Sequence, residues 1–211
     1  MFTGETTLSD TLFVTAGVLT AAVLTPGPNN FVVMDATVRG GFRNALPAIA
    51  GIVLGGIALL GCVMIGAGSV FSAEPQLRIF LAVSGSVFLA GMGVALVAKS
   101  FAPIVPQETE AIVKAPGAIA LFVFQFLNPK SWITILTVVS VAASGTGGLM
   151  QSFLGLCALF LVIPTTCLFI WSSFGRVLAG YLRRRSARAW FDRAMGLLLT
   201  ASAVSLLGHL Q

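Results

Sequence analysis

Two short stretches hold the side chains and backbone groups best able to do chemistry. The first is Thr25-Pro26-Gly27-Pro28-Asn29-Asn30. The second is Gln125-Phe126-Leu127-Asn128-Pro129-Lys130-Ser131. Proline lacks the N–H that bonds the carbonyl four residues back, and its ring clashes there. Pro26 therefore frees the carbonyl of Ala22, Pro28 that of Leu24, and Pro129 that of Gln125. Gly27, between two prolines, admits backbone angles that other residues resist. A helix restarting after Pro28 presents free N–H groups near Asn29 and Asn30, and such a positive end suits a carboxylate. Freed carbonyls suit an ammonium group. The two together match a zwitterion, its carboxylate at Gly27 to Asn30 with Lys130 assisting, its ammonium on the freed carbonyls with Asn128. Gln125 and Asn128 are three apart and are expected on one helical face, whereas Lys130, Thr134 and Thr137 follow helical spacing on another. Lys130 either holds the carboxylate or pairs with Asp35. Asp35 in turn either makes an i,i+4 pair with Arg39 or titrates during function. The candidate binding residues are thus Pro26, Gly27, Pro28, Asn29, Asn30, Gln125, Asn128, Pro129 and Lys130, with Asp35 the proton-coupling candidate.

The elements that must position these residues are written in the composition. Of 211 residues, 57% are hydrophobic and only 9% charged, against roughly 25% charged in soluble domains. Mean hydropathy is +0.99. A soluble interior cannot hide so much apolar surface, so the solvent is lipid. This excludes a soluble enzyme, a nucleic-acid reader and a disordered linker. The basic excess is only +5, and six of the twelve basic residues lie between Arg176 and Arg193. Such a cluster signals topology and contact with anionic headgroups.

Six apolar segments are each long enough for a bilayer core of about 20 residues. They lie near 11–36, 46–71, 78–98, 117–141, 149–173 and 188–209. The expected fold is an all-α membrane protein of six transmembrane helices, the first and fourth broken at the proline motifs. The chain reads as one domain, 1–211, with a polar cytoplasmic loop at about 99–116. Linkers one, three and five hold ten of the twelve Lys and Arg residues, which places them in the cytoplasm and both termini outside. The half made of spans one to three then begins outside and the half made of spans four to six begins inside. Span centres recur at offsets of about 103 to 111 residues, and both halves open with a broken span. The halves, about 1–100 and 115–211, are expected to form a 3+3 inverted repeat, with a transport site where the broken spans meet.

Other features point to structure. Gly51 and Gly55 form a GxxxG suited to close packing within the chain or, alternatively, to a dimer seam. Pro164 interrupts the fifth span. Cys62, Cys157 and Cys167 lie in apolar runs without a CxxC and read as small buried hydrophobes. With His209 as the sole histidine, no metal site or cofactor is expected. Glu5 and Asp10 stand where a secretory signal carries positive charge, so no cleaved signal is expected. Arg176 to Arg188 is a candidate short surface helix. Two rival functions are a passive small-solute channel and a membrane thiol electron carrier. The carrier would use paired cysteines in spans one and four, which here contain none.

The motif Leu24 to Asn30, then Gly41-Phe42-Arg43 and Ala50-Gly51-Ile52-Val53-Leu54-Gly55, resembles the opening of the LysE/RhtB amino-acid exporters. Phe126-Leu127-Asn128-Pro129-Lys130 is similar to that family's fourth-span motif. Phe191-Asp192-Arg193-Ala194-Met195-Gly196 is similar to its run into the last span. The doubled asparagine and the following Gly-Phe-Arg look closest to the cysteine and O-acetylserine exporter branch. The resemblance implies a bacterial inner-membrane exporter of amino acids or related metabolites, driven by the proton gradient, and rocking one repeat against the other would give alternating access to the site. It departs at Asp35, where many members carry a small polar residue, and at Val94 to Ser100, which fits the usual basic pattern poorly. The acid at Asp35 admits a cationic amino acid as substrate.

Overall fold

The computed structural model describes residues 8–101, 117–143, 149–182 and 185–208, and these are helical almost throughout, with no strand among them. The helices are α1 (Leu8–Leu24), α2 (Pro28–Cys62), a π-helical turn (Val63–Ala67), α3 (Gly68–Ala73), α4 (Pro75–Lys99), α5 (Ala118–Leu127), α6 (Pro129–Ala142), α7 (Leu149–Tyr181) and α8 (Arg185–Gly208). Three stretches are each long and apolar enough to cross a membrane: Pro28–Val70, Pro75–Ala98 and Met150–Tyr181. The pair α5 and α6, bent by 68° at Asn128, makes a fourth as a broken span, and α1 is a shorter apolar helix. The chain is a multi-pass, all-helical membrane protein.

The 43 residues from Pro28 to Val70 would measure about 65 Å as one rod, twice a hydrocarbon core of about 30 Å. They fold back instead. Gly41 has φ 73° and ψ −178°, a conformation outside the helix and essentially closed to residues with a Cβ. Across it, Asn44 Nδ2 donates to the Ala36 carbonyl at 3.2 Å, a reach that eight residues of straight helix, about 12 Å of rise, would not allow. Val32, Val33 and Ala36 of one arm pack into the same buried cluster as Ala45, Ala48 and Ile49 of the other.

Close approaches of small residues set the packing. α2 lies on α5 and α7, α4 on α8, and α1 on α6 and α7. A methyl group at Gly51 would overlap the Ala118 carbonyl, and one at Gly55 would lie 2.6 Å from the Phe122 carbonyl. The GxxxG seam is therefore spent within the chain, against α5. At the α4–α8 crossing, a methyl at Gly93 would lie 2.6 Å from the Gly196 carbonyl, and one at Gly196 2.5 Å from that of Gly93. Gly93 also abuts Thr200, and Gly196 abuts Val97. On the other flank of α4, Gly85 admits the Pro129 ring.

Several helix hydroxyls are satisfied by their own helix, as lipid favours, although the buried Ser86 Oγ of α4 has no partner among the described residues. Thr15 Oγ1 donates to the Thr11 carbonyl at 2.7 Å and Thr37 Oγ1 to that of Val33 at 2.9 Å. Thr37 also shares a 2.6 Å hydroxyl pair with Ser172, joining α2 to α7. The expected surface helix at Arg176 to Arg188 is not a separate element. α7 continues through Arg176 to Tyr181, and α8 already begins at Arg185, because no proline or glycine pair intervenes before Leu182 to end α7. Most of the expected 99–116 loop lies outside the described residues.

Candidate substrate site at the two helix breaks

Both proline motifs interrupt their helices. α1 ends at Leu24, and α2 restarts with Pro28 at its first position, where a missing N–H costs nothing. α5 ends at Leu127, Asn128 is extended (φ −88°, ψ 105°), and α6 restarts at Pro129. The two restarts differ. The side chain of Asn128 caps α6, accepting from the Lys130 backbone N–H at 3.1 Å. Gly27 has no side chain to give, and the start of α2 carries no side-chain cap. The uncapped N–H groups of α2 are thus the ones left for an anion.

The breaks meet face to face. Asn29 Nδ2 donates to Gln125 Oε1 at 3.0 Å, and Gln125 Nε2 returns a bond to Asn29 Oδ1 at 3.1 Å. Ser131 Oγ donates to the same Gln125 Oε1 at 2.8 Å, and Gln125 Nε2 also reaches the Leu121 carbonyl. Asn30 Nδ2 donates back across its own break to the carbonyls of Val23 and Thr25, at 3.0 and 3.2 Å. Cys167 Sγ, from α7, also donates to the Val23 carbonyl at 3.2 Å. Trp132 Nε1 donates to the Phe126 carbonyl at 2.8 Å, satisfying an acceptor at the end of α5. Lys130 Nζ crosses between the halves to the carbonyls of Thr25, 2.7 Å, and Pro26, 3.4 Å.

A cavity of about 80 Å³ opens beside this network. Gly27, Pro28, Asn29, Asn30, Gln125, Asn128 and Lys130 all line it. At 10–15 Å³ per water position, it has room for roughly five to eight such positions, the scale of a small amino acid. Pro26 instead lines a second, apolar cavity of about 70 Å³ with Trp171, Met195 and Leu199. Pro129 is buried against Gly85. Asp35 is not in the lining; it accepts from Arg39 Nε at 2.7 Å, the i,i+4 alternative, and is not paired with Lys130.

Two expectations change in detail. Gln125 and Asn128 share the cavity, each 2% exposed, but not a helical face, since the bend falls between them. At the first break the carbonyls that accept from side chains beyond it are those of Val23, Thr25 and Pro26, while Leu24 lies outside the cavity lining with its side chain exposed. The cavity also takes in residues that sequence reasoning gave no binding role: Ser131, Thr134, Phe160, Pro164 and Cys167. Ser131 stood inside the quoted motif and Pro164 in a noted helix interruption. Cys167 gave no signal beyond its apolar run.

A largely apolar cavity into which two helix breaks bring a lysine and a few polar side chains is the architecture of a membrane carrier. The LysE type translocator family model matches residues 20–209. The chain belongs to the LysE type translocator family. It is a transporter, not an enzyme. Among curated relatives, a cysteine/O-acetylserine efflux protein of Salmonella choleraesuis is 26% identical over 189 residues, 87% of this chain and 90% of the relative. The Salmonella typhimurium protein of the same name gives the same figures. An uncharacterized membrane protein of Pseudomonas aeruginosa is 26% identical over 174 residues, 79% of this chain and 80% of its own length. No solved structure matches significantly.

Proposed function

We propose that this LysE-type translocator exports a small amino acid, or a related zwitterionic metabolite, from the cytoplasm across the bacterial inner membrane, in exchange for protons, by alternating access. The convergence of both helix breaks on one cavity carries the reading. There, Lys130 and the uncapped start of α2 supply positive charge, and the carbonyls of Thr25 and Pro26 accept from a cation. A carboxylate and an ammonium on one carbon fit such neighbouring sites. The efflux function named for the Salmonella relatives agrees in substrate class and direction.

The proposed frame is six spans in a 3+3 inverted repeat, about 1–100 and 115–211, with both termini outside. Splitting the long stretch at Gly41, joining α1 to its first arm and α5 to α6, and adding α8 gives six. The α4–α8 crossing supports the repeat. Gly93 and Gly196 are 103 residues apart, as are Val97 and Thr200 and, at the breaks, Pro26 and Pro129. Gly93 meets Thr200 as Gly196 meets Val97, the reciprocity of residues about a two-fold axis.

The test is export from cells fed dipeptides, with and without this chain, quantifying extracellular amino acids together. A selective rise in one or a few, lost with Lys130→Ala at equal membrane abundance, is the expected outcome. Undiminished net export by Lys130→Ala would sink the site assignment.

A further inference from the structure

The ammonium of Lys130 stands where the site offers its acceptors for a cation. Its Nζ lies 2.7 Å from the Thr25 carbonyl and 3.4 Å from that of Pro26, and 3.0 Å from where a Cβ on Gly27 would be. Asn30 already uses the Thr25 carbonyl a second time and takes that of Val23 with Cys167. A substrate ammonium and a protonated lysine would compete for the same pair of oxygens, and like charges in one acceptor set repel. We propose that Lys130 and the substrate ammonium occupy the Thr25 and Pro26 carbonyls in turn, so that Lys130 is the residue at which substrate is exchanged for a proton. This rests on reading the cavity as a zwitterion site.

The exchange balances. On the cytoplasmic side the substrate ammonium takes the two carbonyls, and an Nζ–H bond of Lys130 breaks. Its electron pair stays on nitrogen, and the proton passes to water on that side. The neutral amine keeps two N–H groups for the substrate carboxylate beside the start of α2. On the outer side the substrate leaves, Nζ takes a proton from water, and the ammonium returns to Thr25 and Pro26. The surroundings suit this assignment. The break segment of α1 and α2 and the end of α5 present only neutral groups to Lys130, and α4 meets the adjoining Pro129 through Gly85. From α7, Cys167 is the one other titratable side chain in the lining. Asp35 is engaged with Arg39 outside it.

Isothermal titration of the purified full chain with O-acetylserine, below pH 7 and in buffers of different ionisation heat, counts the protons directly. About one proton released per substrate is expected, with apparent Kd falling about tenfold per pH unit. Asp35→Asn should keep that count. Lys130→Gln should abolish it, however far its affinity falls. Binding by the unsubstituted protein without proton release overturns the proposal, and so does loss of the count in Asp35→Asn. No binding of O-acetylserine or of any standard amino acid overturns the zwitterion reading beneath it. If Lys130→Gln fails to fold, Lys130→Arg, whose guanidinium keeps its proton in this range, takes its place, and a proton count retained in either variant overturns the proposal.

Discussion

At the residue scale, Gln125 is the joint between the two breaks. It is buried, and its amide serves Asn29, Ser131 and the Leu121 carbonyl together. Gln125→Leu keeps the approximate volume but strands the Asn29 amide and the Ser131 hydroxyl. An orphaned buried polar group costs about 1–3 kcal/mol, so thermal unfolding in detergent should shift clearly downward. Gly27 gives a different result. A methyl there would lie 3.0 Å from Lys130 Nζ and 3.3 Å from Cδ. Both atoms belong to the far end of a flexible chain, so Gly27→Ala should leave the fold intact and push the ammonium off Thr25. A hydrogen bond to a charged group is worth about 1.5–3 kcal/mol, and about 1.4 kcal/mol is tenfold. Export should fall about tenfold or more at unchanged membrane abundance, measured side by side with the unsubstituted chain.

At the element scale, Gly41 and the Gly93–Gly196 crossing hold the frame. With φ 73° and ψ −178°, Gly41 occupies a region where another residue costs on the order of 1–3 kcal/mol. Nothing lies within 4 Å of a Cβ there, so Gly41→Ala tests backbone strain alone. The expected outcome is a lowered unfolding temperature with unchanged substrate selectivity. Gly93→Leu acts through space, since even a methyl would press on the Gly196 carbonyl and the Thr200 hydroxyl. It should separate α4 from α8 and sharply reduce folded protein, read by monodisperse yield on size exclusion. The second break should feel this too, because α4 also holds Pro129 through Gly85. The first break borders an apolar cavity instead.

At the scale of the whole molecule, the proposed topology and the exchange reaction stand together. Alternating access about a fixed site needs two halves able to rock, and on the proposed repeat the paired contacts 103 residues apart would lie at its axis. An alkaline phosphatase fused after Gln211 should be active, since that enzyme matures only outside the cytoplasm, and the same fusion within 102–116 should be inactive. The opposite pattern would invert the charge-based orientation.

Much of this was legible in the residues. Composition alone requires lipid as solvent, because 9% charged residues cannot cover a soluble surface. The proline motifs locate both helix breaks, because a missing N–H and a ring clash act locally whatever packs around them. Charge between the spans supplies the proposed orientation, which the phosphatase fusions test. What no spacing could give is the pairing across the breaks. Asn29 and Gln125 are 96 residues apart and Lys130 and Thr25 are 105 apart, and only packing decides which freed carbonyls meet which donors. The helical-face argument for Gln125 and Asn128 assumed a continuous helix through a residue that is extended. Cys167 entered the cavity because α7 passes α1 there, a fact of neighbouring helices that its own apolar run does not contain. The sequence determined where the chain must break. The tertiary structure decided that Lys130 reaches across the opening, since an ammonium inside an apolar bundle goes to the nearest carbonyl oxygens, and the fold brings those from the other half.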